Sequence, residues 1–324
     1  MNIVGIVIVI SLALIAISCG SKEKGKSKSE NNKNTSLKLD DSLSSLSKYD
    51  LASTDPKFIP LTSELREISG IVSTPEGRLF AHNDESSMVC EISSADGRIV
   101  KRFAAGKPAL RDDFEDIEFV AGTFYMVNSK GDIIEFKESG DGEYSDIVKH
   151  KTPLSASYDV EGICYDDATN SLLLACKGFS GEQGSDDKAV FSFSLADKNL
   201  SDKPRFVINS NEVGKDFSPS GIRKNPVTGT FYLISSTGNS IIELSKDGKL
   251  IGKSKLNGKV HEQPEGITFL PDNSLLISNE GKSGKGYIVI YPLKNDFENS
   301  LSTLPATSWG FPQQRHPEHL TASP

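Results

Sequence analysis

The chain has 324 residues, of which 36% are hydrophobic, and a formal net charge of −8. This length suits two average domains or one large all-β domain. The modest acidity, without a basic stripe interleaved with aromatic residues, argues against a nucleic-acid partner.

The N-terminus carries a short apolar run that ends in a cysteine. Residues 3–17 are almost wholly apolar, but the run is shorter than the roughly 20 residues of a transmembrane helix and is typical of a secretory signal. The letters AISC, ending at Cys19, resemble the lipobox of bacterial lipoproteins. We therefore predict a signal peptide at residues 1–18 and a lipid on Cys19 that attaches the protein to a membrane of the bacterial envelope. Because Gly20 is not the Asp that favours inner-membrane retention, the outer membrane is favoured. An uncleaved anchor helix is the alternative.

Two polar segments flank the central part of the chain. Residues 19–47 are rich in Lys, Ser and Asn, and such a segment buries too little apolar surface to offset its ordering entropy. We predict a flexible tether there and an irregular tail at residues 295–324, which have no periodicity. The folded domain is predicted at residues 48–294.

The central part repeats one phrase five times. The copies contain REISGI, DFEDIE, DVEGIC, SPSGIR and QPEGIT. Their shared Ile falls at Ile71, Ile117, Ile163, Ile222 and Ile267, at steps of 46, 46, 59 and 45 residues. The long step contains a polar, Gly-rich insertion at residues 178–188, so the underlying period is regular.

Each copy divides into short segments of strand composition separated by Gly-containing turns. The second segment is apolar on consecutive residues, which indicates burial on both faces. A four-stranded unit of about 45 residues that cannot bury both faces alone is a propeller blade. The predicted fold class is therefore all-β, a β-propeller of five four-stranded blades; a sixth blade would need a sixth copy. The last copy supplies three clear strands, so an N-terminal strand at residues 48–54 is expected to complete it and close the ring.

The cysteines are too few for a disulfide scaffold. If Cys19 carries a lipid, an odd number remains: Cys90, Cys164 and Cys176. Cys164 and Cys176 lie on consecutive predicted strands and could pair, but three buried thiols are the favoured interpretation.

Acidic residues recur two positions before the repeated Ile, near the predicted mouth of the central channel. Around the ring this position holds Ser69, Glu115, Glu161, Ser220 and Glu265. Converging carboxylates repel unless a positive charge lies between them, and an oxygen-rich set favours Ca²⁺ before Mg²⁺. The predicted metal ligands are Glu115, Glu161, Glu265, Asn83, Asp84, Asn128 and Asn279. Two alternatives to a metal stay open. Each Glu forms hydrogen bonds to backbone groups of the next blade, or Lys177 supplies the positive charge.

Catalytic motifs are weak in this sequence. His82 is the one His beside the predicted cluster, and either His82 or Asp84 would be the base if the protein is an enzyme. The stretches KGFSGEQG and GKSGKG match neither the nucleophile elbow nor the P-loop spacing. A binding module is therefore favoured over an enzyme.

The motif order LREISGI…HNDE, DFEDIE, VEGI, PSGI and QPEGI resembles the SdiA-regulated, YjiK/CarP-like β-propeller family of bacterial envelope proteins over residues 49–293. The resemblance implies a membrane-associated propeller, with members linked to calcium response, and provides no catalytic residues. A looser similarity is to lactonase-type propellers, whose Glu-Gly-Pro motif holds a channel Ca²⁺, whereas this chain has Glu-Gly-Ile.

The leading hypothesis is a monomeric envelope lipoprotein, facing the periplasm or the cell surface. Its propeller would bind or sense Ca²⁺, an envelope protein or a small molecule. The alternative is a Ca²⁺-dependent hydrolase, lactonase- or phosphoesterase-like, with its site at the channel mouth.

Overall fold

The computed structural model describes residues 44–178, 184–282 and 284–294. The predicted signal peptide, Cys19, most of the predicted tether and the tail lie outside this part of the chain. Within it, five sheets form the blades of a β-propeller, which confirms the predicted fold class. None of the helices in these residues is long and apolar enough to cross a membrane.

The first strand of the chain, β1 (Lys57–Pro60), belongs to the last blade, and short helices at Leu46–Lys48 and Ser63–Leu65 flank it. Blade 1 then comprises, from the channel outwards, β2 (Ile68–Ser73), β3 (Leu79–Asn83), β4 (Met88–Ile92) and β5 (Ile99–Ala105). Blade 2 comprises β6 (Phe114–Val120), β7 (Thr123–Asn128), β8 (Ile133–Phe136) and, after β9 (Glu143–Ser145), β10 (Ile147–His150). The short β9 pairs in parallel with β5 and so joins blade 1 to blade 2.

The other three blades follow the same plan. Blade 3 comprises β11 (Val160–Asp166), β12 (Ser171–Cys176), β13 (Lys188–Ser194), β14 (Asn199–Leu200) and β15 (Phe206–Ile208), the last two both pairing with β13. After α1 (Ser210–Val213), blade 4 comprises β16 (Gly221–Lys224), β17 (Phe231–Ser235), β18 (Ser240–Leu244) and β19 (Leu250–Lys255). Blade 5 comprises β20 (Pro264–Phe269), β21 (Leu275–Asn279), β22 (Tyr287–Tyr291) and β1.

The ring is closed by an N-terminal strand, as predicted, but the strand lies later in the chain. Antiparallel pairing of β1 with β22 places Ile59 opposite Ile288. Residues 48–54 are not a strand: Lys48 ends a short helix, and Tyr49 and Leu51 are buried in the apolar layer between blades 4 and 5. The closing strand is therefore Lys57–Pro60.

The core consists of five apolar layers, each between two neighbouring blades. The second strand of blade 2 illustrates why its sequence is apolar throughout. Phe124 and Met126 pack towards blade 1, whereas Tyr125 and Val127 pack towards blade 3, because successive strand side chains point to opposite faces. The prediction of burial on both faces is confirmed.

The residues before β1 form a strap across blades 4 and 5, here called the N-terminal strap (residues 44–56). Glu243 of β18 is fully buried. Its carboxylate accepts hydrogen bonds from the Ser45 backbone N–H at 2.7 Å, from the Ser45 hydroxyl at 2.8 Å and from the Ser44 hydroxyl at 2.8 Å. The folded domain therefore begins before the predicted boundary at residue 48.

The three cysteines within the described residues are free and buried. They are packed apolar side chains, as the favoured interpretation held, and the alternative pairing of Cys164 with Cys176 is not formed.

Candidate binding site at the acidic channel mouth

The five inner strands approach one another closely around the channel axis. The residue before the repeated Ile is Gly in four blades, and a side chain there would collide with the next strand. A Cβ on Gly221 would lie 2.7 Å from the Glu265 carbonyl oxygen, and one on Gly70 would lie 2.8 Å from the Asp116 Cα. Glycine thus permits the approach that brings the preceding residues together at one end of the channel.

That end forms a cavity of about 170 Å³, here called the acidic mouth. Inner strands supply Glu115, Glu161 and Glu265, and the chain after the second strands supplies Asp84, Lys177 and Glu280. The three predicted glutamates therefore line one cavity.

The two serines at the same repeat position have a different role. The Ser69 hydroxyl donates a hydrogen bond to the Glu115 carbonyl oxygen at 2.6 Å. The Ser220 hydroxyl donates to the Pro264 carbonyl oxygen at 2.7 Å. The sequence analysis left open that each glutamate forms a hydrogen bond to the backbone of the next blade. In the structure the serines form this bond.

Lys177 is the one cation among the residues that line the acidic mouth. Its Nζ lies 2.6 Å from Glu161 Oε1. Within the described residues, the side chains of Glu115 and Glu265 have no hydrogen-bond partner, and Asp84 Oδ1 is buried without one. Carboxylate oxygens therefore outnumber the protein groups that could satisfy them.

The pKa values of the mouth reflect this excess of acid. Burial and then the charge of Glu161 raise the pKa of Glu115, and the same two causes raise the pKa of Glu265 to about 8. Burial also raises the pKa of Glu161, although Lys177 opposes this. Burial lowers the pKa of Lys177, but the Glu161 carboxylate outweighs it, so the net shift is upward. A cation entering the mouth would relieve the repulsion among these carboxylates.

Three predicted ligands lie in other networks. Asn83 lines a separate cavity beside blade 1. The Asn128 amide donates to Asp112 Oδ2 at 2.8 Å, and Asn279 is fully buried with its oxygen 3.0 Å from a ring nitrogen of His261. These side chains stabilise turns and the interior of a blade, and they do not line the acidic mouth.

His82 is placed differently from its position in the sequence-based hypothesis. It is fully buried beneath Gly70, its Nδ1 lies 2.8 Å from the Asn83 carbonyl oxygen, and burial lowers its pKa to about 4. It does not line the acidic mouth. Alternation along β3 explains this, because the side chain points into the layer between blades.

The oxygen-only donor set and the buried, unpartnered Asp84 Oδ1 fit a hard cation. In residues 44–178, 184–282 and 284–294, however, no group of three or more His, Cys, Asp or Glu side chains could hold a metal ion as arranged. Occupation by a metal would require Lys177 to leave Glu161 and the carboxylates to move closer.

The channel below the mouth is closed by a buried ion pair that the sequence-based prediction missed. Arg223 Nη1 lies 2.6 Å from Glu118 Oε2, with side-chain exposures of 7% and 8%. The same guanidinium donates to the carbonyl oxygens of Ile267, Ile71 and Ile117 at 3.0–3.1 Å, and thus joins blades 5, 1 and 2 to blade 4. The sequence contained a signal for this pair: Glu118 and Arg223 each directly follow the repeated Ile, in copies 2 and 4, and carry opposite charges.

The family model described as SdiA-regulated matches residues 200–300. The predicted resemblance to this family is thereby confirmed over that part of the chain. A search of curated proteins found no match.

Several solved structures are similar to this chain at low sequence identity. A luciferin-regenerating enzyme is 10% identical with a TM-score of 0.50, and the match covers 74% of this chain and 95% of that one. A glutaminyl cyclase of Myxococcus xanthus is 11% identical with a TM-score of 0.49, covering 74% and 94%. A streptogramin B lyase is 16% identical with a TM-score of 0.42, covering 74% of each chain. The likeness to the luciferin-regenerating enzyme, with its TM-score of 0.50, shows a shared fold alone and leaves activity open.

Proposed function

We propose that the protein is a cation-binding β-propeller, with the acidic mouth as its site and Ca²⁺ as its ion. The observation that carries the proposal is the set formed by the carboxylate oxygens of Glu115 and Glu265 and by Asp84 Oδ1, which have no hydrogen-bond partner in the described residues. Glu161 would join them once a cation replaces the Lys177 ammonium, whose Nζ lies 2.6 Å from Glu161 Oε1.

Lys177 acts in this proposal as an internal counter-ion. Its side chain is 38% exposed, so it can leave the mouth for solvent without breaking the core. An entering cation competes with this ammonium for Glu161, and the competition sets the affinity.

We further propose that the propeller is an envelope lipoprotein that serves as a binding or sensing module. The AISC motif and the Lys/Ser/Asn-rich segment support this setting. Radiolabelled or clickable palmitate fed to expressing bacteria should label the wild-type protein but not Cys19→Ala. Equal labelling of both would remove the lipid anchor from the proposal.

The hydrolase alternative has less support, because His82 is buried away from the cavity and Asp84 alone remains as a base. A screen of esters, lactones and phosphoesters in the presence of Ca²⁺ tests it. Turnover that is lost on chelation and in Glu265→Gln would favour the enzyme, whereas no turnover favours the binding module.

Thermal unfolding tests the cation site directly. At a cation concentration of about 100 times Kd, binding stabilises by about 2.7 kcal/mol, which for a domain of this size raises Tm by about 5–10 °C. The titrations use CaCl₂, MgCl₂ and spermidine, each against a chelator or buffer blank. The double variant Glu115→Gln/Glu265→Gln should lose the shift.

A control matched in charge change is Glu76→Gln/Glu143→Gln, in which both side chains are exposed. It should keep the full shift. A response to spermidine but not to Ca²⁺ would support a cation site and reject the metal. Absence of a shift with all three cations would reject the proposed function.

A further inference from the structure

We propose a second ligand site at the opposite end of the channel, for a small molecule with an anionic group and an apolar body. A cavity of about 780 Å³ lies there, here called the second mouth. Its inner wall is formed by the residues directly after the repeated Ile in four blades: Val72, Glu118, Arg223 and Thr268. The proposal is independent of the cation site.

The two mouths are separate compartments. The acidic mouth is lined by residues before the repeated Ile, and the second mouth by residues after it. Between them Arg223 donates to three carbonyl oxygens of neighbouring inner strands. A ligand of one mouth therefore does not reach the other through the channel.

The size and the walls of the second mouth suit a small organic molecule. Ligand sites commonly measure about 300–1,000 Å³ and combine apolar walls with a few polar groups. The walls include Phe119 and Tyr165, both partly exposed, and the more deeply buried Phe231 and Phe269. Aromatic rings at these positions provide flat apolar contact area.

Two of the cations that line the second mouth are already neutralised. Arg223 pairs with Glu118 at 2.6 Å. Lys224 lies 2.8 Å from Asp166 and also pairs with Asp167. These pairs fix the floor and one wall, and the wall with Lys224 keeps one negative charge in excess, because one ammonium faces two carboxylates.

Two further cations of the lining have no carboxylate partner. Neither Arg205 nor Lys246 forms an ion pair within the described residues; both side chains are exposed, and both line the cavity. Asp247 is the one unpaired acid of the same lining. The lining as a whole carries four cations and four acids, so the anionic group of a ligand is expected at the wall with Arg205 and Lys246, where two unpaired cations face one unpaired acid.

Two fluorescent probes separate the anionic part of the proposal from the apolar part. The purified protein, kept in chelator, is titrated with 1-anilinonaphthalene-8-sulfonate and with its uncharged analogue N-phenyl-1-naphthylamine. The sulfonate should bind saturably at one site and at least about fivefold more tightly than the neutral probe, because only the sulfonate meets both cations.

The double variant Arg205→Gln/Lys246→Gln should weaken sulfonate binding about five- to tenfold and leave the neutral probe within about twofold. The matched control Lys57→Gln/Lys259→Gln removes two exposed cations elsewhere and should change neither. Ala168→Trp fills the cavity from an exposed turn and should weaken both probes.

Unchanged Tm values show that each variant is folded. Three results would overturn the proposal: no saturable binding of the sulfonate, equal affinity of the two probes, or sulfonate affinity unaffected by both cavity variants. The last result would mean that the dye binds elsewhere on the surface.

Discussion

Replacing Arg223 with Met tests whether the buried ion pair holds the five inner strands together. The substitution leaves Glu118 and Asp116, with side-chain exposures of 8% and 1%, without their cation. It also removes hydrogen bonds to the carbonyl oxygens of Ile267, Ile71 and Ile117. Removing one partner of a buried pair costs about 3–5 kcal/mol, so Tm should fall by about 6–20 °C.

Urea denaturation gives the free energy of unfolding, and Arg102→Met is the control. Arg102 makes a two-bond pair with Glu64, but both side chains are about half exposed, so its loss should cost about 1 kcal/mol or less. The double variant Glu118→Gln/Arg223→Met removes the stranded charge and should recover part of the loss.

The effect of Arg223→Met should also depend on pH. Burial raises the pKa of Asp116 and the Arg223 guanidinium opposes this; with the guanidinium absent, Asp116 should bind its proton more tightly in the folded than in the unfolded state, so the loss should be smaller at pH 5 than at pH 8. A loss no larger than that of Arg102→Met would refute the argument that this pair closes the channel and fastens the blades.

Four other predictions follow from the structure. Lys177→Met should raise Ca²⁺ affinity about tenfold in calorimetric titration, and an unchanged affinity would contradict its role as counter-ion. The free energy of unfolding should fall as pH rises from 4.5 towards about 8, because the folded pKa of Glu265 is raised above its ordinary 4.5. Glu265→Gln should reduce that fall. An equal difference in the free energy of unfolding between pH 5 and pH 8 for the wild type and the variant, measured by urea denaturation, would contradict this. Deleting residues 1–47 should destabilise the domain by at least about 1–3 kcal/mol, because buried Glu243 loses three donors, whereas deleting residues 1–43 should not. Cys19→Ala should move the protein from the membrane fraction to the soluble fraction, as judged by ultracentrifugation and immunoblotting.

The repeat was sufficient to predict the blades and the acidic mouth. Ile71, Ile117 and their counterparts fix the phase of each copy, and consecutive apolar residues such as Phe124 and Tyr125 reveal a strand buried on both faces. Because the blades of a propeller are equivalent by rotation, equal positions in the repeat meet at one end of the axis. Glu115, Glu161 and Glu265 were therefore predictable as neighbours.

Positions outside the repeat pattern were decided by tertiary structure. Asn128 and Asn279 belong to second-strand ends as predicted, yet local hydrogen bonds hold their side chains away from the mouth. His82 lies one residue from the end of β3, and strand alternation directs it into the core. One residue of register decides whether a side chain faces a cavity or a neighbouring blade.

The number of blades, their phase and the ring of acids can be inferred from the sequence, because these features follow from a local pattern repeated at a constant period. Which charges pair across the ring depends on the folded structure. Lys177 and Glu161 meet within one hairpin of blade 3, 16 residues apart, whereas Arg223 with Glu118 and the N-terminal strap with Glu243 join parts of the chain that only ring closure brings together. Such pairings depend on distances across the ring, and a one-dimensional period does not encode them.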